Sequence, residues 1–292
     1  MNYILKNKFF QITINSKGAE LVSFKSEKTE KEYIWQGDPH IWAGHSPVLF
    51  PIVGGLKNDT YFHNDKEYSL LRHGFIRKSE DLILGEQTSD SITFSLTQNP
   101  KYKKIYPFDF EFNITYKLQN DILLVQHDII NMGDEMMFFS LGAHPAFNCP
   151  INEGESYSDY TLVFNKKETL NTWNLNAEGI ITQQGDRIMD NSSIIDLHED
   201  IFKNDALIFK ALKSREVRLV SHKSKSEVIV SFNDFKSLGL WAKPKAPFVC
   251  IEPWLGYADV VDTNQKISDK EGIIKLESRK EFSATYSIQI KE

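Results

Sequence analysis

A chain of 292 residues, 41% hydrophobic and 25% charged with 15 Gly and 10 Pro, has the make-up of a globular protein with a substantial core, which excludes the disordered, collagenous and disulfide-stapled classes. Its 34 basic and 40 acidic residues leave a net charge of −6, so there is no electrostatic footprint for DNA or RNA and no nucleic-acid partner is predicted. Cys149 and Cys250 cannot form a disulfide framework, and the start of the chain has no apolar run long enough for a signal peptide or membrane span, so the chain reads as cytoplasmic with no membrane partner.

Along the chain the dominant period is two, that of a strand with one face in the core. Phe10, Ile12 and Ile14 open the pattern, and Asn64-Asp65 supplies the first turn pair between apolar stretches. Ser79 to Leu84 allows a turn or two of helix. Ile92, Phe94 and Leu96 return to alternation, followed by the clearest run: Phe108, Phe110, Phe112, Ile114, Tyr116 and Leu118, interleaved with Asp109, Glu111, Asn113, Thr115 and Lys117. That spacing predicts a strand with one aromatic face and one wet face. Asn120-Asp121, Asn131-Met132-Gly133-Asp134 and Asn152-Glu153-Gly154 predict hairpin turns. Tyr160, Leu162 and Phe164 alternate next; Asp200 to Leu207 is the best helical candidate and is short; Val228, Val230 and Phe232 lead to a last strand carrying Phe282, Ala284, Tyr286, Ile288 and Ile290. The 20 Phe, 11 Tyr and 5 Trp suit such strand cores, with Trp35 and Trp42 read as packing. Without a linker, a repeat or strand–helix alternation, the prediction is an all-β fold: one large antiparallel β-sandwich or barrel-like domain over residues 1–292.

Motifs of strict spacing are missing. There is no H-E-x-x-H, His198-Glu199 lacks a second histidine, Gly54-Gly55 is not followed by G-K-[ST], and no G-x-S-x-G occurs, so neither a metal nor a nucleotide cofactor is predicted. Three segments instead set a titratable group in an apolar or Gly/Pro-punctuated stretch. Leu71-Arg72-His73-Gly74-Phe75-Ile76-Arg77 has a histidine beside two arginines and a glycine that permits close backbone approach. Leu141-Gly142-Ala143-His144-Pro145-Ala146-Phe147 has another, which Pro145 biases toward extended backbone. Phe248-Val249-Cys250-Ile251-Glu252-Pro253-Trp254 brings an apolar run to a carboxylate with an aromatic two residues on. Taken singly, each such group is more often a hydrogen-bonded structural residue than a functional one. His40, His45, His63, His127, His198 and His222 have no comparable setting and are assigned to surface or core.

Together, His73-Gly74, the Gly-Ala-His-Pro-Ala-Phe run around His144, and Ile251-Glu252-Pro253-Trp254 resemble the aldose 1-epimerase (galactose mutarotase) family, in particular its bacterial LacX-like branch. The resemblance takes in Ser46-Pro47-Val48-Leu49-Phe50-Pro51-Ile52-Val53-Gly54 and Asn204-Asp205-Ala206-Leu207-Ile208-Phe209, in the family's order. It implies a large antiparallel β-supersandwich and a reaction that interconverts the α and β anomers of a free hexose without cofactor. It also implies roles: Glu252 takes the proton of the C1 hydroxyl, His144 protonates the ring oxygen, His73 is a second donor, and Asp205 accepts from a sugar hydroxyl. Imidazole and carboxylate suit such an exchange, because ring opening removes a proton at one oxygen and delivers one at another near neutral pH.

One position departs from the pattern. The resemblance implies an arginine on the sugar hydroxyls, usual in the family, at the position where this chain has Gly55; Lys57, Arg72 or Arg77 are the candidate substitutes, with Trp254 as a further residue near the sugar. Those basic neighbours also fit a hexose-6-phosphate 1-epimerase, and a catalytically silent sugar-binding protein is the alternative of another class.

Overall fold

The computed structural model describes residues 1–292 and is built almost wholly of antiparallel strands. The largest sheet has nine, in the spatial order Ile181–Asp196, Tyr160–Leu175, Glu216–Ser221, Glu227–Ser231, Glu281–Lys291, Ile122–Asn131, Phe110–Gln119, Ser91–Thr97 and Ile83–Gln87. The period-two reading places its central strands: Phe110, Phe112, Ile114, Tyr116 and Leu118 are buried while their polar neighbours are half-exposed. Phe108 is buried just ahead of that strand rather than within it. Cutting one such ring back, as in Phe112→Ala, removes about 3–5 kcal/mol of packing.

A second sheet orders Leu207–Phe209, Ser237–Trp241, Phe248–Leu255, Leu141–Ala143 and Val48–Leu49, with Ala146–Asn148 also paired to Phe248–Leu255. It meets the nine-stranded sheet through aromatic rings, Phe50 standing 5.1 Å from Phe112 and 5.6 Å from Phe110. A three-stranded sheet, Asn2–Lys6, Phe10–Asn15 and Glu20–Ser26, joins the same interior, where the Tyr116 hydroxyl donates to the Ala19 carbonyl at 2.7 Å. One hydrophobic cluster of 73 residues runs from Leu5 to Ile290. This is the predicted large antiparallel β architecture.

The turn chemistry holds at two of the four predicted hairpin sites, whereas Asn131–Asp134 and Asn152–Gly154 join strands that pair with other partners and not with each other. Asn120, in left-handed conformation, closes the hairpin between Phe110–Gln119 and Ile122–Asn131, and Asn64 and Asp65, both at positive φ, close the one between Thr60–His63 and Lys66–Ser69. The two helical expectations do not hold. Ile83 and Leu84 pair with Ser95 and Phe94 as an edge strand, because a neighbouring strand satisfies their backbone better than an isolated helical turn would. Asp200 to Leu207 is a series of tight turns, Lys203 N–H to Asp200 and Asp205 N–H to Phe202, ending in a strand. The α-helix that does form, Pro100–Lys103, is capped by Asn99, whose side chain accepts from the Lys101 and Tyr102 N–H groups. No helix is long and apolar enough to cross a membrane, and both cysteines are free.

Candidate active site

Glu252 lies in the middle of Phe248–Leu255, a strand flanked by neighbours on both edges and buried throughout. Alternation sends Cys250, Glu252 and Trp254 to one face. Glu252 pairs with Gly239 and Trp254 with Gly142 across the two flanking strands. Both glycines are needed: a Cβ would lie 2.5 Å from the Trp254 indole at Gly239 and 2.8 Å at Gly142, so the ring lies flat over both neighbours.

His144 follows Leu141–Ala143, and its N–H donates to the Pro47 carbonyl at 3.1 Å. The Trp42 ring stacks on the imidazole at 5.1 Å and 25°, and Trp241 meets it edge-on at 5.8 Å. Held between them, His144 Nε2 stands 3.3 Å from Glu252 Oε2.

His73 and Gly74 both have positive φ, 67° and 68°. For Gly74 the reason is contact as well as conformation, since a Cβ would sit 2.3 Å from the Phe50 carbonyl oxygen. His73 is fixed by two bonds to Gly54: its N–H donates to the Gly54 carbonyl at 2.9 Å, and the Gly54 N–H donates to His73 Nδ1 at 3.1 Å. With Nδ1 accepting, a neutral His73 carries its proton on Nε2 and can donate. Its ring lies 5.9 Å from that of His144, at 82°.

Burial dominates the electrostatics. It pushes His144 down to about 3 and His73 well below the usual imidazole range, and it raises the Glu252 carboxyl well above the carboxylate range. With burial opposing charge on both groups, the Glu252–His144 pair is suited to share one proton. Attraction at 3.3 Å favours the ionised arrangement, carboxylate and imidazolium, so proton transfer within the pair costs less than either shift alone implies.

These three groups open on a cavity of about 380 Å³ that Arg72, Arg77, Asp205 and Trp254 also line. Of the residues singled out in the sequence, Lys57 is the one the fold takes away: its Nζ donates to the Val261 carbonyl at 2.7 Å and its N–H to Asp259 Oδ2, outside the cavity. Gly55 lies under the tip of the hairpin formed by Tyr160–Leu175 and Ile181–Asp196, where a Cβ would come within 3.3 Å of Ile180 Cδ1. The same tip presents Gly179, at φ 76°, to the Arg72 guanidinium; a Cβ there would stand 1.6 Å from an Arg72 nitrogen. Asp259 fastens this tip. Its carbonyl accepts from Ile181, its N–H donates to Gly55, and its carboxylate forms a buried ion pair with Lys270 at 2.9 Å.

Sequence reading missed Trp241, Leu175 and Gly179 in the cavity wall and assigned Trp42 to packing alone. Only Gly179 carried a signal, as part of the turn Asn176-Ala177-Glu178-Gly179; the others match any core residue until the fold brings them to His144 and Arg72.

The sequence profile of the aldose 1-epimerase family matches residues 1–275. The chain is 35% identical over 299 residues to the plasmid protein LacX of Lactococcus lactis subsp. lactis and 36% identical to its chromosomal counterpart, with 99% of this chain and 99% of the relative covered in each case. Among solved structures, a galactose mutarotase related enzyme from Lactobacillus acidophilus aligns with a TM-score of 0.94 and 38% identity over 100% of this chain and 98% of that one. A galactose mutarotase-like protein from Lactobacillus casei aligns at 0.92 with 26% identity over 100% of both chains. A profile spanning residues 1–275 and relatives above 30% identity along nearly their whole length lead to one conclusion: this chain belongs to the aldose 1-epimerase family.

Proposed function

We propose that the protein is an isomerase that interconverts the α and β anomers of a free hexose by opening and reclosing the sugar ring. The observation that carries this reading is the convergence of His73, His144 and Glu252 on one cavity, with a carboxylate–imidazole pair 3.3 Å apart. A sugar entering the cavity exchanges that direct contact for two hydrogen bonds. Glu252 as carboxylate removes the C1 hydroxyl proton while His144 as imidazolium delivers one to the ring oxygen, and the Nε2–H of His73 holds the oxygen that gains charge. The C1–ring oxygen bond breaks to an open aldehyde, rotation about C1–C2 follows, and reclosure returns both protons. One proton on the pair is therefore the working state, and each turnover restores it.

Asp205, exposed at the cavity edge, is suited to accept from a sugar hydroxyl, and the flat indole of Trp254 offers a face to the ring. A second reading rests on Arg72 and Arg77. The direct arginine–carboxylate ion pairs of the molecule are made by Arg187, Arg218 and Arg279; the cavity's Arg72 and Arg77 make none, Glu20 acting on Arg77 only at longer range, which fits a hexose 6-phosphate.

Polarimetry of freshly dissolved α-D-glucose, α-D-galactose and glucose 6-phosphate tests both readings. Faster equilibration than the buffer blank with a free hexose is the expected result. A phosphate preference that Arg72→Ala abolishes moves the assignment to the phosphorylated sugar. Tight sugar binding without any acceleration leaves a carbohydrate-binding protein and ends the enzyme reading.

A further inference from the structure

Cys250 has no part in the ring-opening chemistry, yet it shares a strand face with Glu252, two residues away, and is fully buried. One ligand atom from each of His144, Cys250 and Glu252 lies within 4.8 Å of the other two. An independent feature of the same spot is its unmet polarity. Glu252 is 1% exposed, and apart from the 3.3 Å contact with His144 Nε2 its Oε2 has no polar partner. Buried polar atoms left unmatched are uncommon, because each forfeits its hydration.

We propose that these three side chains form a binding site for a zinc-class divalent cation, which shuts the acid–base pair off when it binds. Nitrogen, thiolate and carboxylate are the donors zinc prefers, and three protein ligands with an open fourth position make a site that water or a substrate oxygen completes. Two atoms bound at ~2.0–2.1 Å to a tetrahedral ion stand roughly 3.3–3.4 Å apart, and His144 Nε2 and Glu252 Oε2 are at 3.3 Å. The thiol closes in by up to about 1.2 Å to complete the set, given a sulfur–metal bond of ~2.3 Å. The Trp42 and Trp241 rings already hold the imidazole plane, so the rearrangement falls on Cys250 and the Glu252 carboxyl.

Proton balance makes the site a switch. The ion takes a thiolate, a carboxylate and a neutral imidazole, so the thiol proton and the one proton of the Glu252–His144 pair both leave to solvent. With its lone pairs on the metal, the pair can neither accept nor deliver a proton, and the ion's open position occupies the cavity where the sugar would sit. The inhibitory consequence rests on the ring-opening reading; the binding itself does not.

Cobalt(II) is the probe. Full-length protein freed of metal with a chelator is titrated with Co²⁺, and the thiolate-to-cobalt charge-transfer absorption in the near ultraviolet is followed, with Zn²⁺ as the displacing ion. One equivalent should give the band in the wild type and in Cys149→Ser, and none should appear in Cys250→Ser or Cys250→Ala. Zn²⁺ should slow mutarotation of the wild type in competition with sugar and act on Cys250→Ser at concentrations roughly tenfold higher or more. Absence of the band in wild type, its persistence in both Cys250 variants, or its loss in Cys149→Ser each overturns the proposal and leaves Cys250 a small buried hydrophobe. If the protein has no mutarotase activity at all, the cobalt band still decides the site.

Discussion

Glu252 and His144 show how one residue's environment sets its chemistry. Burial pushes the carboxyl up and the imidazole down, and the 3.3 Å contact couples them, so each group is of use only with the other in place. Glu252→Gln and His144→Asn keep the shapes and remove the proton traffic. Under the proposed mechanism each should lower the polarimetric rate about 10²–10⁴-fold with the β-sheet circular dichroism unchanged. His127 gives a prediction of another kind. Fully buried in the core, with neither ring nitrogen hydrogen-bonded, it is pushed down to about 4 by burial. The unfolded chain protonates it near 6.5, so its stabilising contribution is complete above that pH and is lost as pH falls toward 4, about 3 kcal/mol in all. Denaturant titrations at pH 7 and pH 4 should show a loss about 3 kcal/mol smaller in His127→Leu than in the wild type, the remainder coming from groups such as the buried His73 and His144.

The hairpin of Tyr160–Leu175 and Ile181–Asp196 supplies part of the cavity wall through its tip. Gly179 there admits the Arg72 guanidinium, and Asp259 ties the tip to Gly55. Gly179→Ala drives a methyl into the guanidinium and strains a left-handed backbone, so Arg72 must leave its place. We expect KM to rise about tenfold, a loss near 1.4 kcal/mol of binding, with kcat within about twofold. Lys57→Ala, outside the cavity, should change neither parameter in the same steady-state assay. Gly55 is legible in the sequence as a departure from the family pattern. Its consequence is not, because the hairpin tip that lies over it is more than a hundred residues away.

At the scale of the molecule, the 73-residue cluster draws on strands from both ends of the chain, and Phe10–Asn15 and Glu281–Lys291 feed the same interior. We propose on that ground that residues 1–292 unfold as one domain. Calorimetry should give a single transition whose van't Hoff and calorimetric enthalpies agree; two resolved transitions would divide the chain. The strands themselves were legible. Alternation from Phe110 to Leu118 and from Ala284 to Ile290 fixes which side chains enter the core, because a strand exposes alternate residues to opposite faces whatever it pairs with. The short helices misread at Ser79–Leu84 and Asp200–Leu207 show the limit of that logic: local pattern cannot see that Ile83 and Leu84 complete the edge of a sheet. The sequence by itself determined an antiparallel β fold, the hairpin turns at Asn64-Asp65 and Asn120-Asp121 and the titratable groups His73, His144 and Glu252, since periodicity and residue chemistry are local. Tertiary structure alone decided that those groups meet, that Lys57 turns away, that Trp42 and Trp241 clamp His144 and that Cys250 stands beside the pair, because long-range strand register sets distances between residues that are remote in the chain.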